Sequence, residues 1–92
     1  MSDIHVLHVW SPTCGPCNVI KPAIAQLKEE FEEYNIDWIS INIKDDPKGY
    51  TQRFQVNVVP TMIVFKGQTE VGRYAGSNIA IIYQLIRKVI AA

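Results

Sequence analysis

The first third of the chain changes from a strand period to a helical period. The segment Ile4–Trp10 is rich in Val and Ile and predicts a strand. After a break at residues 11–13, apolar positions recur on one helical face, at Cys17, Ile20, Ile24, Leu27 and Phe31. Pro22 lies inside this helix and predicts a kink, because it removes one backbone hydrogen bond and crowds the preceding turn. Polar residues are expected mostly on the opposite side of the helix, namely Lys21, Lys28, Glu29, Glu32 and Glu33.

The middle of the chain predicts a second strand followed by a short helix. Residues 36–43 alternate between apolar and polar positions. Asp46 followed by Pro47 is typical of a helix N-cap with proline at the first helical position. We therefore expect a short helix that begins at Pro47 and ends near Phe54, weakened by Gly49.

The last third predicts two strands and a closing helix. Residues 61–65 and 70–74 have strand character, and the turn between them contains Gly67. Ser77 or Asn78 is expected to cap the last helix. The apolar face of that helix is formed by Ile79, Ile82, Ile86 and Val89.

The order of the predicted elements, β-α-β-α-β-β-α, is that of an α/β fold. Two strands joined by a helix are expected to be parallel with a right-handed crossover, whereas the last two strands, joined by a short turn, are antiparallel. The sequence therefore predicts a mixed four-stranded sheet flanked by helices. A chain of 92 residues leaves room for one domain, so residues 1–92 are interpreted as a single unit.

Charge and hydropathy narrow the range of partners. Nine Lys and Arg residues balance nine Asp and Glu residues, so the formal net charge is zero, and the basic residues form no cluster. This pattern argues against nucleic acid or an anionic membrane as the main partner. The chain does not start on basic residues, and no stretch reaches the roughly 18 apolar residues of a membrane span. We expect a cytoplasmic monomer without a targeting segment.

The chain contains two cysteines, Cys14 and Cys17, where the first strand gives way to the first helix. In a reducing compartment such an isolated pair is typical of catalytic, redox or metal sites. Residues at i and i+3 lie on one side of a helical turn, within the spacing that a disulfide tolerates. The unpaired N–H groups and positive dipole end of a helix N-terminus favour a thiolate. Cys14 is therefore predicted to attack, and the more buried Cys17 to resolve the mixed disulfide.

These cysteines belong to a wider resemblance. Residues 9–17 end in the motif Cys-Gly-Pro-Cys and resemble the active site of the thioredoxin family. Pro22 resembles the proline of the family's active-site helix, Val59-Pro60-Thr61 its cis-proline loop, and Gly76 the glycine of its substrate groove. The resemblance covers essentially the whole chain and implies a minimal thioredoxin fold.

The resemblance also implies a function and a site. A member of this family reduces protein disulfides with its dithiol, binds no cofactor, and is reduced again by a thioredoxin reductase or a similar electron donor. A cis bond before Pro60 would turn the backbone of Val59 toward the cysteines, where it can pair with an extended substrate segment. The residues that the resemblance places in contact with substrate are Trp10, Thr13, Gly15, Pro16, Val59, Pro60, Ala75 and Gly76.

Several positions depart from the family pattern. Thr13 stands where the family has a second tryptophan, which changes the apolar surface beside the nucleophile. The family's buried acid falls on His8 and its accompanying lysine on Ser40. Neutral histidine is a base near pH 7, so His8 is a catalytic candidate that accepts the proton of Cys17, the alternative being a hydrogen-bonded core histidine. The chain also starts at the active-site strand, without the family's preceding strand and helix.

Other functions stay open on the sequence. A glutaredoxin-like reductase that uses glutathione fits the short chain, but the residues after Pro60 lack the Gly-Gly and acidic pair with which glutaredoxins hold glutathione. A binding module that uses the fold as a scaffold needs no redox chemistry, although the intact motif argues against it. Zinc needs four ligands, and His5 and His8 point to opposite faces of one strand, so no metal is expected at the cysteines.

Overall fold

The computed structural model describes residues 3–92. The strands are β1 (Ile4–Trp10), β2 (Asp37–Asn42), β3 (Thr61–Lys66) and β4 (Thr69–Ala75). The helices are α1 (Gly15–Glu30), α2 (Tyr50–Arg53) and α3 (Ile79–Ala91), with a 3-10 turn (Glu32–Tyr34) after α1. The strands form a mixed sheet in the order β2-β1-β3-β4, parallel between β1 and β2 and antiparallel elsewhere. This arrangement confirms the predicted α/β fold.

The strand register determines which loops meet. Val9 lies opposite Thr61, Thr61 lies opposite Ala75, and Trp10 lies opposite Asn42. Because β1 is parallel to β2 and antiparallel to β3, the ends of β1, β2 and β4 and the start of β3 share one end of the sheet. We call this the cysteine end, since the loop that follows β1 leads to Cys14.

The sheet separates two hydrophobic cores. Val6 and Met62 belong to the core under α1 and α3, which is completed by Ile20, Phe31, Ile82, Ile86 and Val89. Leu7 and Ile63, the next residues along the same strands, belong to the second core, together with Val56, Phe65 and the half-buried Phe54. Successive residues of each strand therefore support opposite sides of the sheet, as the strand period of two requires.

The short helix differs from the prediction. It begins at Tyr50 and not at Pro47, directly after Gly49, whose φ of 69° lies in the left-handed region. The carboxylate of Asp46 nevertheless serves this helix, because it accepts hydrogen bonds from the N–H groups of Tyr50 (3.1 Å) and Thr51 (2.8 Å). Asp46 and Pro47 thus lie in a loop before the helix, and the prediction that the first helical turn begins at Pro47 is wrong.

The last helix begins at one of its two predicted capping residues. Asn78 is the N-cap of α3, where its side-chain oxygen accepts hydrogen bonds from the N–H groups of Ala80 (3.0 Å) and Ile81 (3.4 Å). Helix α1 continues through Pro22. Within residues 3–92, none of the helices is long and apolar enough to cross a membrane.

Two neighbouring isoleucines of α3 test which face of this helix is buried. Ile82 is fully buried, whereas Ile81 is 39% exposed. We expect Ile82→Ala to lower the free energy of unfolding by about 2–5 kcal/mol, because it removes buried apolar volume and leaves a cavity. Ile81→Ala is the matched control and should cost less than about 1 kcal/mol. Urea unfolding checks both, and equal losses would contradict the packing of α3 described above.

Candidate active site

The two cysteines form a disulfide at the N-terminus of α1. Cys14 is the N-cap residue in an extended conformation, and its Sγ accepts a hydrogen bond from the Cys17 N–H at 3.2 Å. Cys14 is half-buried, whereas only 4% of the surface of Cys17 is exposed. Cys14 is therefore the more accessible of the two, and an N–H group of the first helical turn points at its sulfur.

The cysteine end of the sheet brings the predicted contact residues together. The Val59–Pro60 peptide bond is cis and lies directly before β3. The carbonyl of Pro60 accepts a hydrogen bond from the Gly76 N–H at 3.0 Å, so the loop before β3 is tied to the loop after β4. Pro60 is buried, Val59 is half-buried, and the neighbouring Val58 is 54% exposed. The residues gathered at this end are Trp10, Thr13, Gly15, Pro16, Val59, Pro60, Ala75 and Gly76.

Gly76 occupies a position that disfavours a side chain. Its φ is 152°, and a Cβ atom built there would lie 2.5 Å from the hydroxyl oxygen of Tyr74. That hydroxyl accepts a hydrogen bond from the Asn78 N–H at 3.1 Å, so moving it would disturb the start of α3. A glycine at the edge of the candidate groove therefore follows from a local packing constraint.

Thr13 belongs to a chain of polar contacts beside Cys14. The Oγ of buried Ser11 accepts a hydrogen bond from the Thr13 N–H at 3.3 Å and lies 3.1 Å from Thr13 Oγ1. The ammonium group of Lys44 donates a hydrogen bond to Thr13 Oγ1 at 3.0 Å. Sequence reasoning missed Lys44, which lies two residues after β2. A signal did exist, since the parallel pairing of β1 and β2 brings the residues after both strands to the same end.

A pocket of about 230 Å³ lies behind Cys17 and is lined by His8, Trp10, Cys17, Asn18, Lys21, Ile24, Ala25, Lys28 and Ser40. The indole N–H of Trp10 donates a hydrogen bond to Ser40 Oγ at 2.7 Å. Ser40 also lies opposite His8 in the register of β1 and β2. The structure thus brings His8 and Cys17 to one pocket.

His8 is uncharged in this pocket at neutral pH. It is 9% exposed, and within residues 3–92 its buried Nε2 has no hydrogen-bond partner. Burial, with a smaller contribution from the ammonium group of Lys28, lowers the pKa of His8 from 6.5 to about 4. The expectation of a base that titrates near pH 7 is therefore wrong, because burial desolvates the imidazole and, within residues 3–92, no anion contributes to its pKa.

Two lysines of α1 border the same pocket, which corrects their predicted position on the far side of the helix. Lys21 and Lys28 follow Cys17 at i+4 and i+11 and so lie along its side of the helix. The Lys21 ammonium lies 5.9 Å from the ring centroid of Trp10, and that of Lys28 lies 5.8 Å from Trp38. Long aliphatic stems can cover apolar surface while the charge stays in water, so polarity alone gave the wrong side.

Metal binding finds no support at the cysteines. In the part of the chain that the structure describes, no group of three or more His, Cys, Asp and Glu side chains could hold a metal ion. His5 borders a different pocket, with Leu7 and Phe65 of the second core, and its Nδ1 lies 3.0 Å from Asp37 Oδ2. His5 therefore does not meet His8.

The fold and the disulfide define a thioredoxin-fold protein with a redox-active cysteine pair, and comparisons with known proteins agree. The family model described as Thioredoxin matches residues 1–88. Chloroplastic thioredoxin M4 of Arabidopsis thaliana is 39% identical over 67 residues, which are 72% of this chain and 34% of that protein. Thioredoxin-2 of Saccharomyces cerevisiae is 33% identical over 84 residues, which are 88% of this chain and 75% of that protein. The chain belongs to the thioredoxin family.

Solved structures support the same fold. The crystal structure of thioredoxin from Trypanosoma brucei brucei superposes with a TM-score of 0.86 at 21% identity, covering 99% of this chain and 79% of that one. At this identity the likeness concerns the fold alone. The chain spans about a third of the chloroplastic relative's own length.

The low pKa of His8 predicts a pH dependence of stability. Because the folded pKa of about 4 lies below the ordinary 6.5, the unfolded chain binds more protons between these values. The free energy of unfolding should therefore be highest above pH 6.5 and fall, by an amount on the order of 3 kcal/mol, as the pH drops toward 4.

A leucine variant isolates this contribution from that of the carboxylates. In His8→Leu the loss of stability between neutral and acidic pH should shrink by about 3 kcal/mol in urea unfolding. The carboxylates are the same in the variant and the wild type, so the difference between the two profiles belongs to His8. The assignment fails if His8→Leu and the wild type lose stability in parallel.

Proposed function

We propose that this protein reduces disulfide bonds of other proteins through a cycle in which Cys14 and Cys17 alternate between dithiol and disulfide. The observation that carries the proposal is the disulfide at the N-terminus of α1, with Cys14 half-buried and Cys17 buried. Membership of the thioredoxin family supports the same chemistry. No bound cofactor is required, because the two sulfur atoms carry the electrons.

The reaction has two exchange steps. The thiolate of Cys14 attacks one sulfur of the substrate disulfide, forms a mixed disulfide, and releases the other substrate sulfur as a thiolate that takes up a proton. Cys17 then loses its proton and attacks the Sγ of Cys14, which breaks the mixed disulfide and releases the second substrate thiol. The substrate gains two electrons and two protons, and the protein is left with its Cys14–Cys17 disulfide.

The position of Cys14 at a helix N-terminus favours its thiolate. The Cys17 N–H already points at Cys14 Sγ at 3.2 Å, and the positive end of the helix dipole stabilises negative charge on the same atom. Cys17 lies one turn inside the helix and is buried, so a substrate reaches Cys14 first. Both features support Cys14 as nucleophile and Cys17 as resolving thiol.

The proposed substrate segment lies across the cysteine end of the sheet. Val59 is half-buried beside the exposed Val58, and its backbone is suited to pair with an extended chain in the manner of an added strand. The remaining proposed contacts are Trp10, Thr13, Gly15, Pro16, Pro60, Ala75 and Gly76. Such backbone pairing accepts many sequences, which suits a reductant of several protein substrates.

The cycle also requires a partner that reduces the protein again. A thioredoxin reductase or a similar dithiol donor would supply the two electrons. A reducing compartment such as the cytoplasm fits a chain whose two cysteines both belong to the site. We propose that residues 1–92 act as a monomer and a single domain, without nucleic acid or membrane as partners.

Serine variants of the two cysteines test the order of the exchange steps. Cys14→Ser should abolish the reduction of a peptide disulfide by the pre-reduced protein, because it removes the attacking thiolate. Cys17→Ser should retain the first step but stop there, because nothing resolves the mixed disulfide. Acid quenching followed by mass spectrometry detects the trapped covalent complex.

Two results would contradict the assigned cysteine roles or the reducing direction of the reaction. One is a Cys17→Ser protein that forms no mixed disulfide while Cys14→Ser does, which would reverse the roles. The other is a reduction potential of about −200 mV or above in a glutathione buffer series, which favours a glutaredoxin-like or oxidising role, whereas about −250 mV or lower supports a reductase. Retained function in the double serine variant would instead indicate a binding module.

His8 is proposed to accept the proton of Cys17 in the second step. It is uncharged at neutral pH, it lines the pocket behind Cys17, and within the described residues its Nε2 has no hydrogen-bond partner. A pKa of about 4 makes His8 a weak base, since efficient general bases have pKa values near the working pH. Its contribution should therefore lie below the roughly 100-fold at the lower end of general-base effects.

His8→Ala tests this role directly. We expect the second exchange step to slow by less than about 100-fold, so that the mixed disulfide accumulates while its formation is unaffected. His5→Ala is the matched control, because His5 borders a different pocket. Rapid quenching at several pH values between about 6 and 9 separates the two steps. An unchanged second step over this range would leave His8 as a packing residue only.

A further inference from the structure

Lys44 is a cation in contact with the residue that precedes the nucleophile. Its ammonium donates a hydrogen bond at 3.0 Å to Oγ1 of Thr13, the residue that immediately precedes Cys14. The same Thr13 oxygen lies 3.1 Å from the Oγ of Ser11, which is 4% exposed. The exposed ammonium group of Lys44 therefore contacts a neutral hydroxyl group of the residue that is next to Cys14 in the chain.

Lys44 has unused capacity to bind an anion. Within residues 3–92, no carboxylate lies within ion-pair distance of its ammonium group. The neighbouring Asp46 carboxylate is occupied by the N–H groups of Tyr50 and Thr51. A lysine has three N–H donors, and Thr13 takes one of them, so two remain for the oxygen atoms of a ligand.

The acidic side chains at the end of α1 lie far from Cys14, whereas a second lysine lies near the disulfide. Glu29 and Glu30 lie at the C-terminal end of the helix, about 23 Å along its axis from Cys14. That distance exceeds the Debye length of about 8 Å at physiological ionic strength, so these acids are screened from the site. Lys21, over the ring of Trp10, is a second cation near the disulfide.

We propose that Lys44 selects substrates in which a carboxylate flanks the disulfide, that is, acidic segments of partner proteins. The inference rests on the proposed function, because it assigns the substrate class of the same site. A Glu or Asp side chain beside the attacked cysteine receives hydrogen bonds from the free donors of Lys44 while the substrate backbone pairs at Val59. An exposed ion pair of this kind should raise the reaction rate about 2- to 5-fold.

Three matched peptide disulfides test the selection. The peptides are identical except for Glu, Gln or Lys beside the attacked cysteine, and each is mixed with the pre-reduced protein in a stopped-flow instrument. The second-order rate constant should fall in the order Glu, Gln, Lys, with about 2- to 5-fold between the extremes at low salt. Raising the salt to about 300 mM should bring the three values together, because exposed charges are then screened.

Variants of Lys44 and of Thr13, which it contacts, test whether Lys44 causes the preference for acidic peptides. Lys44→Gln should abolish the preference, Lys44→Glu should reverse it, and Thr13→Val should weaken it, because the ammonium loses its anchor but not its charge. Lys88→Gln is the matched control with the same charge change. Lys88 is exposed in the last turn of α3, about 14 Å along that helix from its start at Ile79, and should leave the preference unchanged.

The outcomes separate this inference from the proposed function. Equal rate constants for the three peptides in the wild type, or a preference that survives Lys44→Gln, would overturn the role of Lys44 and leave the reductase proposal intact. A pre-reduced protein that reacts with none of the peptides would overturn both. A preference that Lys44→Glu reverses and Lys88→Gln does not affect establishes the selection.

Discussion

The pairing of β1 with β3 is the constraint on which the rest of the site depends. With Val9 opposite Thr61, the cis Pro60 comes one residue before the paired region and the loop to Cys14 comes just after it. A slip of one residue would exchange Val6 and Leu7 between the two cores, so packing on both sides of the sheet holds this register. The position of the disulfide therefore rests on apolar residues deep in the sheet.

The pocket behind Cys17 shows what a buried histidine changes in such a site. A buried carboxylate there would oppose a second negative charge when Cys17 ionises, since like charges disfavour each other's charged form. Neutral His8 exerts no such repulsion, and the nearby ammonium of Lys28 favours it remaining neutral. The same desolvation that keeps His8 neutral also lowers its basicity. Compared with a carboxylate, His8 therefore adds no negative charge beside Cys17, but it binds a proton only weakly.

The sequence predicted most of the fold because the apolar pattern is strong. Strand β1 has the predicted bounds, and β2 differs from residues 36–43 by one residue at each end. The start of α2 could not be predicted from Asp46 and Pro47, because the carboxylate caps the helix across a loop that turns at Gly49. Local capping signals do not specify how many residues separate the acid from the N–H groups it serves.

The candidate site was predictable where it depends on chain order and not where it depends on tertiary contacts. The cysteines and Pro60 are visible as motifs, and the strand order then brings them together. The parallel pairing of β1 with β2 was predictable and brings the residues after both strands to one end, but the contact between the Lys44 and Thr13 side chains follows from no local sequence pattern. The pKa of His8 likewise depends on burial by residues distant in sequence.

A chain with zero net charge has little long-range attraction for a charged partner, so recognition must occur within a few ångströms of the disulfide. At that range two kinds of contact are present at the cysteine end. The backbone beside Pro60 can pair with an extended chain whatever its side chains, and Lys44 carries a charge that has no ion-pair partner among residues 3–92. In the proposed function, backbone pairing accepts many substrate sequences, and the Lys44 ammonium group favours those with a carboxylate beside the disulfide. The proposed reductant would thus act on several proteins and still prefer some of them.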